Sequence, residues 1–311
     1  MRNYRCDSDY RRIRDFLRDV FFKNNYWERS WHVNRFDYWR WHGIENMGHG
    51  RLETDVFIWE TPDKNIAAVL NREGPGSVWL QIHPQYRTQE LEEEMINVAA
   101  EHLTVPAGNG QQRHHIWVDP DDNLRLSILK RLGYTKSARV EYQRRRSMAD
   151  SIIEVSVADG YTVRALGDED ELPSRSWASW RAFHPKEPDE AYQGWEWYHN
   201  IQRAPLYRRD LDIVATVPDG EVAAFSTVWF DKITGTGVFE PVGTVPEHQR
   251  RGLARAVMTE GLKRLKGLGA QFAYVGSWND ATHALYGDRL GFNDYIILNA
   301  WEKRMPVESG N

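Results

Sequence analysis

One cysteine, Cys6, in 311 residues excludes an intrachain disulfide and any cysteine-built metal cluster. The 11 histidines show no metal-ligand spacing, so no metal is expected, and the His114-His115 pair reads as surface rather than ligand. No apolar run is long enough to cross a bilayer, and no basic-then-apolar leader is present. The expectation is a cytoplasmic protein with no membrane partner. Positive charge is not in excess: 40 Lys and Arg face 45 Asp and Glu, a formal charge of −5. That balance argues against general nucleic-acid binding and mildly favours a cationic substrate. Gly235-Thr236-Gly237 lacks the third glycine of a dinucleotide fingerprint and reads as a turn.

What is present is a globular composition, 41% hydrophobic and 27% charged, long enough for two cores. Short β-branched runs at 55–59, 66–70, 78–83, 213–217 and 222–230 predict strands, with turns at 61–65 and 218–220. The aromatic stretch from Tyr26 to Trp41 suits a core or an interface better than a pocket. An internal repeat matches Arg5 with Arg164, Pro84 with Pro246 and Gly133 with Gly291, at offsets of about 160 residues. Two tandem copies follow, assigned to 1–148 and 152–311. Between them Arg144-Arg145-Arg146 reads as a solvated strand end or linker.

The most informative stretch runs from Val238 to Arg255. It begins as an apolar strand, breaks at Pro241 and Pro246, and continues with Leu253, Val257, Met258, Leu262 and Leu265 at helical spacing. At the turn, Gln249-Arg250-Arg251-Gly252-Leu253-Ala254-Arg255 sets consecutive backbone N–H groups at a helix start, where an anion such as a diphosphate fits. Further on, Phe272-Ala273-Tyr274-Val275 predicts a strand, and Asn279 or Asp280 caps a helix carrying Tyr286 and closed by Gly291-Phe292.

The Gln-x-x-Gly-x-Ala spacing resembles the pyrophosphate loop of the GNAT-type N-acetyltransferases. The Asn279-to-Tyr286 spacing is similar to that family's second signature, with one extra residue before Gly291. The resemblance covers roughly residues 160–305 and implies an α+β (mixed α/β) fold. Each of the two tandem copies would be a mixed, largely antiparallel sheet with a splayed central strand, flanked by helices. It also implies acetyl-CoA as donor, bound by Val242, Gly243, Thr244, Arg250, Arg251, Gly252, Leu253, Ala254, Arg255 and Asn279, with Tyr286 near the thioester sulfur. In the first copy the corresponding turn, Pro84 to Glu94, has no glycine and is acidic, which opposes a phosphate. One working site in the second copy is therefore expected.

An activated thioester needs a neutral amine within reach, an oxyanion stabiliser and a proton for the leaving thiolate. Tyr286 would supply that proton, and Glu240 would either deprotonate the ammonium, directly or through water, or pair with a neighbour as an ordinary strand carboxylate. Glu187, Asp189, Glu190, Trp195 and Glu196 fall in the region that covers the acceptor in the family. Those carboxylates either receive a cationic amine or form a solvated face. The acceptors in view are an aminoglycoside-type amine, a mycothiol synthase-like substrate, a peptide N-terminus and a polyamine. A coenzyme A-binding sensor without turnover is the reading of another class, and a monomer or homodimer is expected.

Overall fold

The computed structural model describes residues 1–306, which form two compact units. One is Met1–Tyr142 with the chain from Ile296 onward; the other is Gln143–Tyr295. Residues 307–311 of the second predicted range lie outside the described residues. Two 13-residue strands, Thr135–Ser147 and Asp294–Pro306, are each divided between the units. A single cut near residue 150 therefore does not separate them. The strand Asp294–Pro306 runs antiparallel to Gln111–Val118, from Asn299 opposite Val118 to Pro306 opposite Gln111. Local patterning marks that stretch as a strand but carries no label for its partner.

In the first unit the strand order is Arg2–Asn3, Val56–Glu60, Ile66–Arg72, Ser77–Ile82, Gln111–Val118, Asp294–Pro306. The three strands from Val56 to Ile82 are buried at nearly every residue, as strands covered on both faces must be. Alternation sends Phe57, Leu70 and Leu80 to one face, against Met95, Ile96 and Ala99 of the helix Gln89–His102. Ile58, Val69 and Trp79 go to the other, against Ile13, Leu17 and Val20 of the helix Asp7–Lys23. Trp31, Phe36 and Trp39 join that second cluster, so the aromatic stretch is core. Each such side chain contributes about 2 kcal/mol by leaving water.

The second unit repeats the plan. Asp212–Thr216, Val222–Asp231 and Thr236–Thr244 are antiparallel neighbours, and the last is parallel to Phe272–Ser277. Its core sets Val228, Phe230, Phe239 and Val275 against Met258, Leu262 and Leu265 of the helix Leu253–Gly267.

Two expectations are corrected here. His114 and His115 are buried rather than on the surface, because they lie inside the strand Gln111–Val118. His114 Nε2 meets the Tyr134 hydroxyl at 2.6 Å, and burial holds both imidazoles down at about 4, hence neutral. Arg144 and Arg146 are likewise buried, and not solvated, because carbonyl oxygens inside the second unit accept hydrogen bonds from their guanidinium groups.

The first unit also buries an acidic cluster around one cation. Arg35 lies 4.4 Å from the Trp79 ring and pairs with Glu73 and Glu141, while Glu28 accepts the His32 amide at 3.2 Å. Burial pushes the Glu28 carboxyl up to about 7. In the unfolded chain it titrates near its ordinary value of about 4.3. The folded state thus holds the proton over the intervening window, and stability falls as pH rises through it. Glu28→Gln should raise Tm relative to the wild type more at pH 8 than at pH 5, as read by calorimetric melts at both values.

Candidate active site

The site follows from where two parallel strands part. Thr236–Thr244 and Phe272–Ser277 pair only at Thr236–Phe272, Gly237–Ala273 and Val238–Tyr274. Beyond Val238 that edge has no strand beside it among the described residues, whereas the other edge stays paired to Thr244. The Val245 amide bonds to the Ala223 carbonyl at 2.9 Å. By two-residue alternation, the amides of Thr244 and Val242 point away from that neighbour into the opening, and the Gly243 amide points back. Gly243 answers instead to a limit of space, since a Cβ there would lie 2.3 Å from the Phe225 ring.

The strand leads through a short turn, Pro246–His248, into the loop before the helix Leu253–Gly267. Arg250 and Gly252 both have left-handed backbone, φ 63° and 77°. Such a sequence of conformations turns successive N–H groups toward one concavity. The loop is tied down by the Tyr161 hydroxyl on His248 Nδ1 at 2.8 Å and by Gln249 on the Thr244 carbonyl at 3.3 Å. Gly252 caps the helix without any side-chain hydrogen bond, so the first-turn amides of Leu253, Ala254 and Arg255 keep their protons available. Arg250 and Arg251 are exposed and enter no ion pair among the described residues. A Cβ at Gly252 would meet nothing within 4 Å, which leaves that space to a ligand. Arg255 adds a buried Nε with no partner among the described residues. These donors suit a diphosphate.

The first unit closes the same place. Its strands Ser77–Ile82 and Gln111–Val118 also part after two pairs, Ser77–His115 and Val78–Ile116. There the helix cap is Thr88, whose hydroxyl already accepts the Leu91 amide at 3.2 Å. Glu92 is fully buried and takes Arg125 Nε at 2.8 Å as well as Arg87, which also holds Asp122 at 2.6 Å. A carboxylate of the chain itself thus neutralises the cations that a bound phosphate would need.

Tyr286 lies in a π-helical turn, Ala284–Arg289, directly after the short helix Asp280–His283. The π turn absorbs the extra residue before Gly291. Tyr286 is 6% exposed, in the cluster that holds Phe239 and against which Val242 packs, so it stands beside the parting strand. Burial pushes its phenol up to about 12. Arg144 and Arg146, missed as site residues, donate to the Phe292 and Leu290 carbonyls and fix the far end of this turn. Asn279 is exposed, and its side-chain oxygen accepts the Thr282 amide at 3.0 Å in a capping box. It therefore serves the helix start with the atom that a ligand contact would share.

Glu240 is half-buried at a bulge where it and Pro241 together oppose Thr227. Its carbonyl accepts the Trp229 indole. Below the bulge lies a polar cluster that the sequence gives no signal for, since its members are scattered. Asp212 and Arg175 are both wholly buried, 3.0 Å apart, and Arg175 also donates to Thr227 at 3.0 Å over the Phe225 ring at 3.9 Å. Tyr198 and Tyr207 donate to the other Asp212 oxygen, and burial pushes both phenols far up, so both stay protonated.

The expected acceptor residues are less enclosed. Glu187, Asp189, Glu190 and Glu196 are exposed, and Trp195 is half-buried with its amide on the Glu196 carboxylate. Behind them half-buried rings gather: Tyr192 meets Trp177 at 5.1 Å and Trp180 at 5.5 Å.

Residues 170–292, which include the parted parallel strands and the loop at the helix start, match the model of the Acetyltransferase (GNAT) family. The matched residues all lie in the second unit, Gln143–Tyr295. A mycothiol acetyltransferase of Streptomyces avermitilis is 27% identical over 195 residues, a match spanning 58% of this chain and 58% of that protein. The crystal structure of a GCN5-related N-acetyltransferase from Sphaerobacter thermophilus superposes with a TM-score of 0.66 at 16% identity, covering 97% of this chain and 94% of the other. A tandem GNAT protein from the clavulanic acid biosynthesis pathway gives 0.60 at 13%, covering 96% and 95%. Both structures share their fold with this chain, and the second is a tandem GNAT protein.

With one open loop and one closed by Glu92, calorimetry should give one equivalent of coenzyme A per chain, and two equal sites would contradict the closure. Gly252→Val should weaken that binding at least about tenfold, because it strains a left-handed residue and fills the cradle.

Proposed function

We propose that the second unit transfers the acetyl group of acetyl-CoA to the primary amine of a small, cationic acceptor by direct attack on the thioester. The observation that carries this is the uncapped, doubly left-handed loop at the helix start, beside a strand edge whose amides face the opening. Arg250 to Arg255 hold the diphosphate, and the Val242 and Thr244 amides bind the pantetheine arm and the thioester oxygen. Tyr286 keeps its proton at working pH because its phenol titrates only near 12. It donates that proton to the thiolate, whose conjugate acid has an ordinary value of about 8.5. Glu240 takes a proton from the ammonium, directly or through one water. The exposed carboxylates Glu187, Asp189, Glu190 and Glu196 favour a cationic acceptor at the entrance.

Among amines, the acceptor of a mycothiol acetyltransferase has the support of a relative's name, whereas the aminoglycoside reading has only the acidity of the entrance. Both amines belong in one panel with a peptide N-terminus and a polyamine, scored by thiol release. A panel that leaves the thioester intact, with coenzyme A still bound, would favour the non-catalytic sensor.

Tyr286→Phe should keep coenzyme A affinity while turnover falls by about one to three powers of ten, the usual effect of losing a general acid. Unchanged turnover would assign the proton to water. Glu240→Gln should be most impaired near neutral pH and recover as pH rises, because a larger share of the acceptor is then already neutral. A pH-independent defect would reduce the carboxylate to bracing or positioning.

A further inference from the structure

We propose that Asp212 is a positioning residue that ties the segment covering the acceptor to the bulge carrying Glu240, an inference that rests on the acetyltransferase reading above. The Asp212 carboxylate accepts four donors. Arg175 Nε at 3.0 Å and the Thr227 hydroxyl at 3.2 Å reach one oxygen; Tyr207 at 3.1 Å and Tyr198 reach the other. These donors come from separate pieces of chain. Arg175 is on the helix Leu172–Phe183, Thr227 on the strand Val222–Asp231, Tyr198 on the helix Tyr198–Gln202, and Tyr207 on the stretch leading into Asp212.

The strand faces connect this hub with the proposed base. Phe225 lies against Gly243, and Thr227 and Trp229 share its face by alternation. Phe239 and Val228 pack on the opposite face, so Glu240 turns toward Thr227 and Trp229, in agreement with the Trp229 indole on the Glu240 carbonyl. Thr227 is the residue the bulge opposes. One carboxylate therefore sets both the height of the bulge and the position of the covering segment. Burying the Arg175–Asp212 pair completely costs desolvation that an apolar pair of the same volume avoids. Directional hydrogen bonds to three other elements are what such an apolar pair would lack.

Tyr207→Phe deletes one donor at a residue that is not part of the bulge, and Asp212→Asn removes the charge all four donors share. Coenzyme A affinity should remain unchanged in Tyr207→Phe, while kcat/KM for the amine falls about tenfold there and about a hundredfold in Asp212→Asn. Amide hydrogen exchange in Tyr207→Phe should rise together in residues 196–208 and 239–244. Faster exchange in 196–208 alone, or in neither segment, with kcat/KM unchanged, overturns the proposal whether or not Asp212→Asn folds. The exchange measurement needs no turnover. A wild type that acetylates no amine would defeat the acetyltransferase reading, while exchange would still decide the coupling.

Discussion

The second unit is organised by the loss of a neighbour. A strand inside a sheet satisfies amides on both edges, and Thr236–Thr244 is given a parallel partner only as far as Val238. From there to Thr244 no strand among the described residues pairs with that edge, and its backbone amides are left to other partners. The bulge at Glu240 and Pro241 and the glycine pressed on Phe225 lie within that short length, and the turn into the helix follows it. A β edge normally invites another strand. Here the helix Leu253–Gly267 and the π-helical turn pack beside it through Met258, Leu262 and Tyr286.

The same departure of strands in the first unit shows that the opening alone does not make a diphosphate site. The difference lies at the start of the helix. Gly252 leaves its helix uncapped, whereas Thr88 spends its hydroxyl on the cap and Glu92 occupies both Arg87 and Arg125. Two copies of one design thus diverge through a handful of residues at one turn, with the surrounding sheet and helices kept. The retained helix still packs Met95, Ile96 and Ala99 into the core, so its loss would cost the unit its fold.

Much of this was legible in the chain because it is local. Strand runs, helix periods, the loop from Gln249 to Arg255 and the spacing from Asn279 to Tyr286 are contiguous in sequence, and the fold class followed from them. The acidic turn after Pro84 was legible too, although not that Glu92 itself would be the internal anion. What was not legible depends on distant partners. Arg144 to Arg146 is a charge run by composition, and only the carbonyls of Leu290 and Phe292 convert it into a buried clamp. His114-His115 is a polar pair until the strand around it is seen to be covered. The Asp212 cluster draws on five elements or connecting stretches, and no periodicity links Arg175, Tyr198, Tyr207 and Thr227. The destination of the strand Asp294–Pro306 was hidden for the same reason.

That strand sets the order in which the two units can be completed. Chains emerging from a ribosome tend to fold domain by domain, the earlier domain first. Here the first unit, though begun at Met1, lacks the strand beside Gln111–Val118 until the residues from Ile296 have been added. The second unit has all its chain by Tyr295. The half translated first is the half completed last. During synthesis of the intervening residues, Gln111–Val118 has an edge awaiting its partner, and the polar run at its start, Gln111, Gln112 and Arg113, limits how readily another chain takes that place.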